Sequence, residues 1–158
     1  MDDDAAIRLR RVISKLAREL NSSSAGAGLT PSQASVLGLI VARGPLGLGE
    51  LSELEGLNPT MLSRVIGKLQ SMGLIDRVRD PADLRNVSAV STPAGRRVDK
   101  RVKALKAAAV SRCMALLPAD QAGAVAAALP ALEELTVIMR SVRPDADRRG
   151  RTGSREIA

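Results

Sequence analysis

Residues 58–71 read NPTMLSRVIGKLQS. At about 100° per residue, a helix here puts Thr60, Ser63, Arg64, Gly67, Lys68 and Ser71 on one side and Leu62, Val65, Ile66, Leu69 and Met72 on the other. Asn58 suits the N-cap, and Pro59 suits the first helical position, where its missing N–H costs nothing. The polar side has no carboxylate. It carries two cations, three hydroxyls and one glycine that keeps it slim, a set able to approach something anionic. Near the amino end of a helix, such groups reach base edges and phosphates. An ordinary solvated face can look the same, so the neighbouring elements decide.

Just upstream, LGLGELSELEGL turns Leu51 and Leu54 inward as a two-turn helix, and only Gly56 and Leu57 separate it from Asn58. A short helix, a tight glycine turn and a second amphipathic helix make a helix-turn-helix, whose second helix enters the DNA major groove. Downstream, Gly73 ends the helix. LIDRVR and NVSAVS are strand-like, and DPADLR between them is dense in turn residues. The expected hairpin is a wing on which Arg77, Arg79 and Arg85 can meet phosphates or the minor groove.

The remaining elements are helical. Leu9, Ile13, Leu16 and Leu20 form the stripe of a first helix over residues 5–20 whose opposite face is rich in arginine. NSSSAGAG, residues 21–28, reads as a flexible loop. Thr30, Pro31 and Gln33 open a helix by a capping box, and Gly44 and Pro45 close it. Thr92 and Pro93 begin a long helix expected to reach about Leu117. A last one covers about 120–142, where Pro130 is expected to kink or split it. The fold class is mainly α with a small β-hairpin wing: a winged helix-turn-helix, residues 1–142 forming one domain. Its DNA-binding lobe spans about 30–92, and dimerisation helices span about 5–20 and 93–142. Residues 143–158 read as a disordered basic tail. The outer helical stripes exceed what so small a core can cover, and a two-fold homodimer would bury them while spacing two recognition helices about 34 Å apart.

Composition narrows the function. The 158 residues carry 24 Lys+Arg against 17 Asp+Glu, a net charge of +7, which favours nucleic acid or another anionic partner. There is no histidine, no Phe, Tyr or Trp, and one cysteine. Stacking platforms for single strands are therefore missing, as are the commonest general base and any zinc cluster. The glycines of GPLGLGELSELEG match neither dinucleotide nor Walker A spacing. No enzyme, cofactor or metal is expected. Cys113, amid Ala, Met and Leu, reads as a buried, inert thiol. The apolar run ASVLGLIVA falls short of the roughly 20 residues that span a bilayer. Three aspartates near the start do not resemble a signal peptide, so a cytoplasmic location and no membrane partner are expected.

The ordered set Gly73, Leu74, Ile75 and Arg77, then Asp83 and Arg85, then Thr92 and Gly95 resembles the MarR family of bacterial transcriptional regulators, from about Ile7 to Val142. The resemblance implies a homodimer that binds double-stranded palindromic operators, usually as a repressor, and that a small-molecule effector releases. Carried over by position, Asn58, Thr60, Met61, Ser63, Arg64 and Lys68 would lie at the major groove. Arg77 and Arg79 would sit on the wing, and Arg85 would enter the minor groove with Asp83 steadying it. Where the family commonly has Asp-Arg-Arg, this chain has Asp83-Leu84-Arg85. No residue is assigned to the effector. The alternative function is a nonspecific architectural DNA-binding protein.

Overall fold

A computed structural model describes residues 2–79 and 87–142. In chain order they form α1 (Asp3–Ser22), a 3-10 helix (Ser23–Ala27), α2 (Pro31–Arg43), β1 (Leu46–Gly47), α3 (Leu48–Glu55) and α4 (Pro59–Ser71). Then follow β2 (Ile75–Arg79), β3 (Val87–Ser91), α5 (Pro93–Met114) and α6 (Ala119–Ser141). The fold is thus mainly helical with a small antiparallel sheet. Two compact units divide it, Met1–Cys113 and Met114 onward.

Within the first unit, local sequence sets the helix ends. Gln33 N–H donates to Thr30 Oγ1 at 3.3 Å and Thr30 N–H donates to Gln33 Oε1 at 3.0 Å, the reciprocal capping box that starts α2. The strands run in the order β1-β3-β2, with Leu46 opposite Ala89 and Ile75 opposite Ser91. Leu46, Ala89 and Ile75 are buried and close one side of the core. Val36, Leu37 and Ile40 of α2, Leu51 of α3 and Leu62, Ile66 and Leu69 of α4 fill it. Each such side chain contributes about 1.5–3 kcal/mol by leaving water.

Several sequence expectations are corrected. The sheet has a third strand, β1, because two residues suffice to satisfy the free edge of β3. The expected loop over residues 21–28 is helical: α1 continues to Ser22 and the 3-10 helix follows, with Ser24 fully buried. Its small residues allow close packing, since a β-carbon on Gly26 would lie 3.2 Å from a methyl of Leu105. Lys106 Nζ also donates to Asn21 Oδ1 at 2.9 Å. Met72 is 39% exposed instead of inward, because the helix ends there. The long helix stops at Met114, short of Leu117, and Cys113 on its last turn is exposed.

In the second unit, α6 runs unbroken through Pro130. Proline removes its own N–H, and the carbonyl left without a donor is that of Ala126. Both residues are exposed, so water can take the vacated bond. Outside the run ASVLGLIVA, the 21 residues Ala119–Met139 are long and apolar enough to cross a membrane by length and composition. Alanine supplies much of that character, and Asp120, Glu133 and Glu134 interrupt it.

Candidate nucleic-acid interface

The turn between α3 and α4 fixes how the second helix is presented. Gly56 takes a left-handed conformation, φ 63°, as the C-cap of α3. Ser52 clamps the far side: Leu57 N–H donates to the Ser52 carbonyl at 3.2 Å, and Ser52 Oγ donates to the Leu57 carbonyl at 2.6 Å. Asn58 then caps α4, its Oδ1 accepting from Met61 N–H at 2.8 Å, with Pro59 in the first turn. Ser52 was not singled out in the sequence; its only signal is a hydroxyl in the last turn of a very short helix.

At the other end, α4 closes in a Schellman motif. Leu74 N–H donates to the Leu69 carbonyl at 3.0 Å and Gly73 N–H to the Gln70 carbonyl at 2.9 Å, with Gly73 at φ 69°. Leu62, Ile66 and Leu69 hold one side of α4 in the core. The opposite side emerges whole: Thr60, Met61, Ser63, Arg64, Gly67, Lys68 and Ser71 are all exposed, with Asn58 beside them. Ser71 Oγ donates to the Lys68 carbonyl at 2.8 Å, so that proton is already used.

Gly67 is informative because nothing in the chain demands it. A β-carbon there would meet no atom within 4 Å, and the helix φ is ordinary. A mid-helix glycine costs about 0.5–1 kcal/mol relative to alanine. Gly67 is exposed and leaves the face slim at that point.

Arg77 and Arg79 are exposed on β2, opposite Ala89 and Val87 of β3. Asp83 and Arg85 lie outside the described residues. The ion pair found among the described residues joins Lys103 Nζ to Asp99 Oδ2 at 2.7 Å, so Arg64, Lys68, Arg77 and Arg79 have no carboxylate partner among them. Between α3 and α4, Leu48, Gly49, Ser52, Glu53, Pro59, Leu62 and Ser63 line a shallow cleft. Among the described residues no three His, Cys, Asp or Glu side chains gather where they could hold a metal ion.

A helix-turn-helix with an antiparallel wing and an acid-free outer face defines a winged-helix protein of the DNA-binding class. Residues 29–87 match the MarR family. The HTH-type transcriptional repressor Rv2887 of Mycobacterium tuberculosis is 30% identical over 121 residues, covering 75% of this chain and 87% of that protein. Its crystal structure has a TM-score of 0.65 at 26% identity, over 84% of this chain and 96% of that one. CouR from Rhodococcus jostii RHA1, crystallised with p-coumaroyl-CoA, gives 0.59 at 26% identity, over 82% and 92%. The apo form of MarR from E. coli shares the fold, at TM-score 0.67 and 22% identity over 84% of this chain and 97% of that one. The chain belongs to the MarR family of transcriptional regulators, and its class of function is DNA-binding control of transcription.

Proposed function

We propose that the protein acts as a homodimeric repressor that lays α4 of each copy in the major groove of a palindromic operator. The observation that carries the reading is the outer face of α4, which is exposed, free of carboxylates and held rigid from behind by three buried side chains. Arg64, Thr60 and Ser63 are placed to read base edges, with Asn58 and Met61 beside them at the helix start. Lys68, Arg77 and Arg79 take phosphates. Arg85 takes the minor groove, with Asp83 orienting it. Phosphate contacts supply most of the affinity and base contacts the choice of sequence.

The second copy covers the apolar side chains that α6 leaves open, including Leu129 at 51% exposed and Met139 at 64%. That arrangement makes residues 1–142 one functional domain, and a cytoplasmic location on DNA follows from the proposed role as a repressor. Asp120, Glu133 and Glu134 make a bilayer a poorer cover for this helix than a partner protein surface. The likeness to CouR, crystallised with p-coumaroyl-CoA, supports a small-molecule effector, and release from DNA is the response proposed for it.

Selection from random duplexes tests the reading. Enrichment of a two-fold symmetric motif, with half-sites about one helical turn apart, is the expected result. Recovery of no preferred sequence, with tight and steeply salt-dependent binding to all duplexes, would instead support an architectural DNA-binding protein.

A further inference from the structure

One hydroxyl joins the end of α4 to the start of α5. Thr92 Oγ1 donates to the Gly73 carbonyl at 2.7 Å and accepts from Gly95 N–H at 3.0 Å. Its donor therefore satisfies the residue that terminates α4, while its acceptor caps α5. The backbone doubles the link, with Thr92 N–H donating to the Leu74 carbonyl at 3.1 Å. Gly95 tightens it further. It is buried, and a β-carbon there would collide with the Leu74 carbonyl oxygen. Arg96 fastens the same turn to the wing, donating from Nη1 to the Ser91 carbonyl at 2.9 Å.

We infer that Thr92 and Gly95 are positioning residues for sequence recognition: they weld α4 to α5, so the angle at which α4 meets DNA is set by α5. The inference rests on the reading of α4 as the base-reading helix. Neither residue belongs to the proposed DNA face, yet both should govern specificity. Base contacts demand helix placement to within a fraction of an ångström, whereas phosphate contacts through long cationic side chains tolerate a tilt. A loosened weld therefore lowers affinity for the operator and leaves nonspecific affinity nearly intact.

Thr92→Asp separates the two roles of the hydroxyl, because a carboxylate still accepts from Gly95 N–H and caps α5 but cannot donate to the Gly73 carbonyl. Thr92→Ser keeps both roles. Each variant is compared with the wild-type chain on the selected operator and a scrambled duplex, at a temperature where circular dichroism shows both variants fully folded. Thr92→Val, which adds no charge, is run beside it to control for the added negative charge of Thr92→Asp.

The expected result is a loss of about tenfold in the operator-to-scrambled ratio for Thr92→Asp, on the scale of one good base contact. Thr92→Ser should stay within about twofold of wild type, well below the cost of that contact. If Thr92→Asp does not fold, Thr92→Val, which keeps the side-chain volume and lacks both bonds, takes its place with the same expected loss. A folded variant with an unchanged ratio would overturn the inference while leaving operator binding standing. A wild-type chain with no preferred duplex would overturn the operator reading on which the inference depends.

Discussion

Two helices of this chain treat their apolar side chains in opposite ways. α4 hides Leu62, Ile66 and Leu69 almost completely, while α6 leaves Val125, Leu129, Val137, Ile138 and Met139 exposed. The first helix is finished by its own chain. Its outer side can stay slim and cationic because its inner side and the turn that follows it hold it in place. The second helix is unfinished: its exposed apolar side chains form a surface that a second copy of the chain would complete. The lobe that carries the candidate interface buries its apolar side chains within one chain, and under the proposed function a second copy covers those of the helix beyond it.

The sharpest way to break this comparison is to cut into each helix. Ile66→Ala should cost about 2–5 kcal/mol of unfolding free energy, read by urea denaturation, because the cavity opens in a core with no exposure. A loss below about 1 kcal/mol, less than removal of buried methyl groups normally costs, would mean that α4 is not anchored as described. On the other helix, Leu129→Glu should weaken the dimer by about 2–4 kcal/mol in sedimentation experiments, through a charge forced into an apolar contact. The helical signal of the lobe should persist. An unchanged dimer would remove α6 from the interface.

Smaller effects sharpen the reading of α4 and the wing. Arg64→Ala should weaken operator binding by about 1–3 kcal/mol and relax sequence preference. Equal losses on operator and scrambled duplexes would make Arg64 a phosphate contact only. Arg85→Ala should flatten the dependence of log affinity on log salt by up to about 0.9, the share of one cation held against the DNA. An unaltered slope would deny Arg85 an ionic role. Gly67→Ala should do two opposite things: raise unfolding stability by about 0.5–1 kcal/mol and weaken operator binding. A variant that is more stable and binds equally well would show that the slim face is incidental.

Much of the candidate interface was legible in the sequence because helix ends carry local chemical signals. Asn58 with Pro59, Thr30 with Gln33, and Gly73 after Met72 each imply a cap whose partners lie within a few residues, and each cap is found. The inward and outward sides of α4 follow from helical period alone, up to Met72, where the helix stops. Features that depend on distant partners were hidden. β1 exists only because β3 offers an edge, and the small residues of the 3-10 helix look like a loop until Leu105 packs on them. The Thr92 weld is a tertiary hydrogen bond with no period to betray it, and the Ser52–Leu57 clamp, though local, has no signature beyond a hydroxyl in the last turn of α3. Pro130 does not split α6, because it and Ala126 are exposed and water can replace the lost donor.

A repressor of this kind must choose a DNA sequence. Fluorescence anisotropy at about 150 mM salt, with duplexes tiled across the region upstream of its own coding sequence and a scrambled control, tests it most directly. A duplex bound about 10³-fold more tightly than the control is the predicted result. Uniform affinity across those duplexes and across any set selected from random DNA would contradict it.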